Sequence, residues 1–359
     1  MRRELSQTQV SKDFGSVMLK HLLITFILIM ACHVATHAAS TTLDIYFIDV
    51  EGGSATLIVS PGGESLLVDS GFPEERDARR ILAVARLAGL RQITHYITTH
   101  WHRDHVGGVP LLSRLIPIGN FYDHGLPTKA APDISAGHIE LYQQASKNSS
   151  VAVKPGDQIP LRGGNATTPL SVRIVAANAY VVGEQPGAPQ IKMCGSDFKP
   201  IPEDKTDNAN SLGYVLSIGD FQFFDGGDLT WNVENKLVCP GNVIGAVDVF
   251  QVNHHGVANS NNPAMVRALN PQVAIINNGP RKGNDAATFG RLTGADIKEI
   301  YQLHRNLRTS DKDNAPGEYV ANDQAECAGA FIKLSVRPDG KSYSVSIPAK
   351  RITRQYRTR

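Results

Sequence analysis

Two hydrophobic periods alternate along the chain. Residues 43–50 (LDIYFIDV), 55–60 (ATLIVS) and 65–69 (SLLVD) are short aliphatic runs separated by Gly-rich turns at 51–53 and 61–63. Short β-branched runs punctuated by Gly and Pro predict meandering strands. Across 74–89 the period lengthens. Ile81, Leu82, Ala85 and Ala88 share one helical face and Arg76, Arg79 and Arg80 occupy the rest, which predicts an amphipathic helix. A strand at 95–99 (HYITT) delivers the chain into HWHRDHVGG. From there to about residue 205, Pro, Gly and Asn break the pattern, and this stretch reads as an elaborated loop region with a helix near 138–147. Regularity returns with a hairpin at 211–219 and 221–227, a helix near 229–238, a strand at 247–252, a helix near 262–269 and a strand at 272–277. A helix near 293–302 and strands near 329–336 and 342–347 complete the pattern.

Strands meander in each half and helices follow them, which suggests two β-layers with helices outside, an α/β sandwich built from two similar halves. No linker and no fixed-period repeat divides the chain, so 40–349 reads as one domain. Ahead of it, the apolar run 22–31 (LLITFILIMA) follows Lys20 and precedes the small residues of ATHAAS. A basic start, a short apolar core and small residues predict a secretory signal peptide over 1–39, and the run is short for a bilayer span. The expected location is therefore secreted or periplasmic, with no integral membrane domain beyond that segment. The length of 359 residues and 42% hydrophobic content exclude a disordered chain and a polytopic membrane protein.

The net charge of +2 hides an uneven distribution. Residues 1–39 carry +2 and residues 350–359 (KRITRQYRTR) carry +5, which leaves −5 on the body. An acidic body argues against a stable nucleic-acid partner. The basic end, 350–359, reads as a frayed, solvated tail. Export would leave Cys194, Cys239 and Cys327. They allow one disulfide and one free thiol in an unspecified pairing, and none sits in a C-x-x-C pair.

The histidines carry the chemistry. His100, His102 and His105 cluster in HWHRDH, and His254 and His255 form a second pair. Imidazole is the commonest protein metal ligand. His100 and His102 are two residues apart at a strand end, so an extended backbone aims both to one side. Asp104 and His105 follow once the chain has turned. Four potential ligands within six residues point to a metal site rather than a solvated loop.

This H-x-H-x-D-H run resembles the metallo-β-lactamase superfamily, and further motifs support the likeness in order. Asp69 in LLVDSG resembles the Asp that orients the metal loop, Asp228 in FFDGGD the carboxylate that bridges two metals, and His255 in VNHHG the last ligand. The resemblance implies a four-layer αββα fold. It also implies two Zn2+ ions, with His100 and His102 on the first, Asp104, His105 and His255 on the second, and Asp228 between them. The family's third-motif His is missing. In DNANSLGYVL, Asp207 falls at that ligand position, and a carboxylate there would also suit Mn2+. His124 and His138 are alternative substitutes from the irregular stretch.

Within the superfamily, FIDVEGGSATLIVSPGGESLLVDSG, the NSL strand and VNHHGVANS resemble the soluble domain of the DNA-uptake protein ComEC and its phosphocholine-esterase relatives. Ser54 and Val257 depart from that branch, which commonly carries Asp and Ser there. The likeness implies a hydrolase that uses a metal-bridging hydroxide on a phosphodiester, with Asp104 orienting the hydroxide or taking its proton. His254 would bind the oxyanion or protonate the leaving group. The expected substrate is a small-molecule or polymer-borne ester. A lactonase, esterase or β-lactamase acting on a carboxylic ester or amide is the alternative, and a non-catalytic metal-binding protein is a third. Gly340-Lys341-Ser342 fails as a P-loop because Ser335 stands where its first Gly belongs, and no G-x-S-x-G elbow is present.

Overall fold

Successive side chains of a strand face opposite sides, and the first strand uses both. In β1 (Leu43–Phe47), Leu43, Ile45 and Phe47 enter one hydrophobic cluster while Tyr46 enters another. The same split recurs in β2 (Thr56–Val59), with Ile58 on one side and Leu57 and Val59 on the other. A sheet that is apolar on both faces must be covered on both, and this requirement generates the layers. The computed structural model of the chain describes residues 42–127, 133–184 and 198–359. The expected signal segment and Cys194 lie outside them. Ser40–Arg359 is one compact unit.

Among the described residues the strands, numbered in chain order, form two nine-stranded sheets. The first contains, from edge to edge, β18 (Ile352–Arg357), β17 (Ser342–Ile347), β16 (Ile332–Val336), β1, β2, β3 (Ser65–Val68), β4 (Ile93–Ile97), β5 (Ile118–Asp123) and β6 (Val151–Ala152). The second contains β15 (Val320–Asn322), β14 (Glu299–His304), β13 (Val273–Ile276), β12 (Val249–Gln251), β11 (Phe221–Asp225), β10 (Gly213–Ile218), β8 (Leu170–Ala177) and β7 (Gln158–Ile159), with β9 (Tyr180–Val181) pairing to β8. Each sheet is antiparallel up to β3 or β11 and parallel beyond it. The two halves are therefore alike, as the sequence pattern suggests. The C-terminal strands β16–β18 break the symmetry by joining the N-terminal sheet.

The helices close the outer faces. α1 (Glu75–Leu87) packs Ala78, Ile81, Leu82 and Ala85 on the first sheet, and acidic residues in its first turn and Arg86 in its last suit the helix dipole. α2 (Arg103–Val106) is a single turn, followed by α3 (Val109–Leu115) and α4 (Ala136–Ser146) on the same side. α5 (Trp231–Val238), α6 (Pro263–Leu269) and α7 (Ala286–Thr293) cover the second sheet. The Asn262 side chain caps α6 by accepting the Met265 N–H at 2.8 Å. The result is the αββα sandwich. No described helix is long and apolar enough to cross a membrane.

Three expectations need correction. The helix expected near 293–302 ends at Thr293, and Glu299–His304 is a strand instead. β14 lies between two parallel neighbours, so both its faces are buried and its pattern loses the period of two. The irregular stretch 109–205 contributes β5 through β9 to the two sheets. The basic end is a paired edge strand, with Ser342 opposite Arg357 and Ile347 opposite Ile352, so the domain continues past 349. Its anchor is Tyr356, whose ring stacks on Tyr343 at 4.9 Å and whose hydroxyl lies 2.7 Å from that of Tyr301.

Replacing Tyr356 with Ala is expected to cost about 2 kcal/mol in urea denaturation, whereas Ala at the exposed Arg357 side chain costs less than about 0.5 kcal/mol. Indifference of stability to both changes would return residues 350–359 to a frayed tail.

Candidate metal centre

Ends of parallel strands from both sheets supply the site. β3 runs into Asp69, β4 into Thr99–His102 and α2, β11 into Asp228, and β12 into His254–His255. Local backbone strain aims several of these groups. Asp69, His254 and His255 are non-glycine residues with φ of 61°, 53° and 53°. Gly227 also has positive φ, and a Cβ there would lie 2.9 Å from Cβ of Thr99, so only glycine lets the second sheet's loop approach the first. The His254 N–H then donates to Gly227 O at 2.9 Å.

Four donors gather at the centre. His105 Nε2 lies 3.2 Å from His255 Nε2, 3.4 Å from Asp104 Oδ2 and 3.2 Å from Asp228 Oδ2. His255 Nε2 is 3.3 Å from Asp104 and 3.4 Å from Asp228. Beside this group, His100 Nε2 faces His102 Nδ1 at 3.0 Å and lies 3.8 Å from Asp228 Oδ2. His254 Nε2 stands 3.6 Å from the same oxygen.

The outer nitrogens decide how these rings can act. The Thr99 hydroxyl donates to Asp69 Oδ2 at 2.8 Å, so its oxygen accepts the Nδ1–H of His100 at 3.1 Å. His105 Nδ1–H donates to Asp69 at 2.7 Å, His255 Nδ1–H to Asn277 O at 3.3 Å, and His102 Nε2–H to Asp133 at 3.0 Å. Ser260 gives its hydroxyl proton to Leu229 O at 2.8 Å and accepts from His254 Nδ1 at 3.2 Å. Each of the five rings thus has its outer nitrogen occupied, and its other nitrogen points inward to take a cation.

The set fits a divalent metal ion. Two pairs of inward nitrogens sit 3.0 and 3.2 Å apart with no donor between them, and Asp228 Oδ1 is buried without a hydrogen-bond partner. Nitrogen and carboxylate oxygen are the donors zinc accepts. The electrostatics agree. Burial opposes ionisation of Asp104 and Asp228, but the neighbouring imidazoles overcome it and hold both carboxyls well below the usual range. Burial works against charge on His105, yet Asp228, Asp69 and Asp104 raise it well above its ordinary value. The centre demands positive charge.

Asp207 does not join the donors, contrary to expectation. Among the described residues, the donors that lie within 4.8 Å of one another here are Asp104, His105, Asp228 and His255, a group that leaves out Asp207 along with His100 and His102, and it is the partners of Asp207 that set it apart. Its carboxylate accepts the Trp101 N–H at 2.6 Å, lies 3.3 Å from His124 Nε2 and accepts from Asn210 at 3.0 Å. Those partners satisfy it and make it a brace behind His100–His102. His124 is spent on Asp207 and on Asn178 at 2.9 Å, and His138 lies on α4 near Arg103 and Glu74, so neither replaces the missing histidine. Residues the sequence reading overlooked are Thr99, Asp133, Asn208, Ser260 and Lys282. The Lys282 ammonium contacts Asp104 Oδ2.

A second group, Asp49, His304 and Cys327, also meets the distance criterion. Its carboxylate is already saturated by the Glu51 N–H at 2.9 Å, His304 at 2.8 Å, Arg80 at 2.9 Å and the Cys327 thiol at 3.2 Å. With a guanidinium in place, this is a clamp between α1, β14 and the loop before β16. Cys327 is a free thiol and Cys239 is disulfide-bonded.

Two predictions arise. Asp207→Ala is expected to leave the metal stoichiometry by elemental analysis unchanged while lowering the unfolding midpoint. Loss of one ion per folded chain would make Asp207 a ligand after all. Asp225 lies beneath the centre, where burial, reinforced by Asp69, pushes its carboxyl up to about 7 against the Gly227 N–H bond. The native state then holds a proton that the unfolded chain releases near pH 4, so this group's stabilising contribution falls as pH rises from about 4 to 7. Asp225→Asn should remove that slope, on the order of 2–4 kcal/mol between pH 5 and 8 in denaturant titrations. Identical slopes in both proteins would contradict it.

Residues 48–175 match the family model described as the metallo-beta-lactamase superfamily. The atrochrysone carboxyl ACP thioesterase of Cryptosporiopsis sp. (strain 8999) is 38% identical over 91 residues, 24% of this chain and 27% of that protein. The lactamase-like protein notP of Aspergillus sp. (strain MF297-2) shows the same identity and coverage. These matches span about a quarter of each relative's length. Among solved structures, the subclass B3 metallo-beta-lactamase MEM-A1 from a soil metagenome library aligns with a TM-score of 0.35 at 18% identity, covering 65% of this chain and 75% of that one. The segment that bears the HWHRDH motif is thus similar to the metallo-beta-lactamase superfamily, and two sheets enclosed by helices accord with that likeness.

Proposed function

We propose that the chain is an exported metal-dependent hydrolase that cleaves a phosphodiester. The carrying observation is the wiring of five imidazoles, whose outer nitrogens are all held so that the inner ones face Asp104 and Asp228. Asp104, His105, His255 and Asp228 would hold one Zn2+ ion, and His100, His102 and Asp228 a second. When bound, such ions lower the pKa of water and neutralise charge on the scissile group.

The protein's own groups do the rest. Burial keeps the His254 imidazole below its ordinary pKa despite the pull of Asp228, so the ring is neutral near pH 7. Its Nδ1–H is fixed on Ser260, which leaves Nε2 to accept a proton from the attacking water and return it to the leaving oxygen. Asn208 Nδ2 lies 3.4 Å from that nitrogen. Asp104 meets two imidazoles through its Oδ2, which suits it to hold the ion rather than to shuttle a proton.

Support for the diester comes from the likeness of the VNHHGVANS and FIDVEGG segments to the phosphocholine-esterase branch. Support for export comes from the apolar run at 22–31 and from the disulfide-bonded Cys239, which suits an oxidising compartment. A second reading, thioester hydrolysis, is favoured by the thioesterase names of relatives 38–43% identical over short segments.

Chelated protein should lose turnover of bis(p-nitrophenyl) phosphate and regain it on adding Zn2+. His254→Ala should lower kcat about 100-fold with metal content unchanged. Turnover of thioesters or carboxylic esters with none of the diester would overturn the phosphodiester reading.

A further inference from the structure

We propose that Lys282 is the anion-seating residue of this centre, its ammonium holding a non-bridging oxygen of a negatively charged ester beside the scissile bond. The inference rests on the hydrolase reading above and narrows its substrate to an anionic one.

Placement comes first. Lys282 closes a turn after β13 in which the Gly279 N–H donates to Lys282 O at 2.9 Å. The turn is pressed against the loop after β1. A Cβ on Gly279 would lie 2.3 Å from Glu51 O, and one on Gly52 would lie 3.0 Å from Cβ of Lys282. A Cβ on Gly283 would lie 2.1 Å from His255 O. Asn306 Nδ2 donates to Gly283 O at 2.8 Å, and the Leu307 N–H donates to Pro280 O at 2.8 Å. The backbone beneath the lysine is thus fixed against the last metal-binding histidine, while the side chain beyond Cβ remains 37% exposed.

Charge is the second argument. Among the described residues, the ion pair of Lys282 is with Asp104. The same Oδ2 lies within 3.4 Å of the inward nitrogens of His105 and His255, so it belongs to the metal donor set. A divalent ion held by that set would take over as counter-charge of Asp104, which would leave the ammonium at the mouth of the site without a carboxylate of its own. The other cation at this rim, Arg103, shares the Phe72 ring with Lys282 at 5.5 against 5.8 Å. Arg103 is already paired with Glu74 at 3.2 Å. With Asp104 engaged by the ion, Lys282 would therefore be a cation free to meet a ligand. A phosphate oxygen supplies the missing partner through a charge-assisted hydrogen bond.

The test measures binding apart from turnover. Inorganic phosphate is titrated by calorimetry into wild type, K282Q and K282R, each loaded with zinc to the same measured content. In parallel, kcat/KM is compared for bis(p-nitrophenyl) phosphate and for the neutral ester p-nitrophenyl acetate. K282Q is expected to weaken phosphate binding at least 10-fold and to lower the ratio of diester to neutral-ester kcat/KM by a similar factor. K282R, which keeps the charge, should stay within about threefold of wild type on both measures. Equal phosphate affinity in K282Q and wild type would overturn the inference, even where the diester is cleaved. Lysine-dependent phosphate binding without diester cleavage would support the inference and remove only the phosphodiester reading.

Discussion

Asp69 is the fixed point on which the centre is built. It is fully buried in a left-handed turn at the end of β3. A carboxylate so placed is costly unless its oxygens are saturated. Here the Thr99 N–H meets Oδ1 at 2.7 Å, while the Thr99 hydroxyl and His105 Nδ1–H meet Oδ2 at 2.8 and 2.7 Å. Because the threonine proton is used this way, its oxygen is left to orient His100. One buried charge therefore sets the tautomer of two rings and the course of the loop between β4 and α2. The main chain of α2 is tied back to the same turn, with the Ser70 N–H donating to His105 O at 2.7 Å.

The second half of the sandwich solves the same problem with a different acid. Glu234, on α5 and fully buried, accepts from Asn253 Nδ2 at 2.8 Å and from the N–H groups of Asn261 and Asn262 at 2.6 and 2.8 Å. Those residues bracket His254 and His255, whose positive φ values carry a conformational cost of about 1–3 kcal/mol each. Hydrogen bonds from the His254 N–H to Gly227 O and from the Asn284 N–H to His255 O, at 2.9 and 2.8 Å, offset that strain. A donor set rigid enough to select a metal is assembled from two halves, each pinned by its own buried carboxylate.

What could be read from the chain follows from how local each interaction is. His100, His102, Asp104 and His105 are legible because their spacing at a strand end dictates where they point. Asp228 and His255 are legible through short motifs at strand ends. Asp207 was misplaced because its role is fixed by partners at Trp101 and His124, 106 and 83 residues away. Lys282 meets Asp104 across 178 residues, and its segment, GPRKGND, reads locally as a solvated turn. β14 escaped notice for a packing reason, since this strand, buried between parallel partners, mixes apolar and polar residues (EIYQLH) without strict alternation.

The uneven charge along the chain has a structural resolution. The basic C-terminal segment looks like a frayed, solvated tail only while it is considered apart from the body. In the fold, Arg354 lies 3.7 Å from Glu299 and over the ring of Tyr319 at 4.1 Å. Lys350 pairs with Asp323 at 2.6 Å, and the Arg359 N–H donates to Asp248 at 3.1 Å. Lys350 and Arg354 thus meet carboxylates of the body. Alternation along ITRQYR, with Tyr356 turned inward and Arg357 outward, places the strand on the sheet edge by the same rule that built β1. A lysine- and arginine-bearing edge also discourages further strand addition. Part of the charge at this terminus is engaged where the segment closes the N-terminal sheet. The unsatisfied demand for positive charge remains at the centre, where Asp104 and Asp228 face inward-pointing nitrogens.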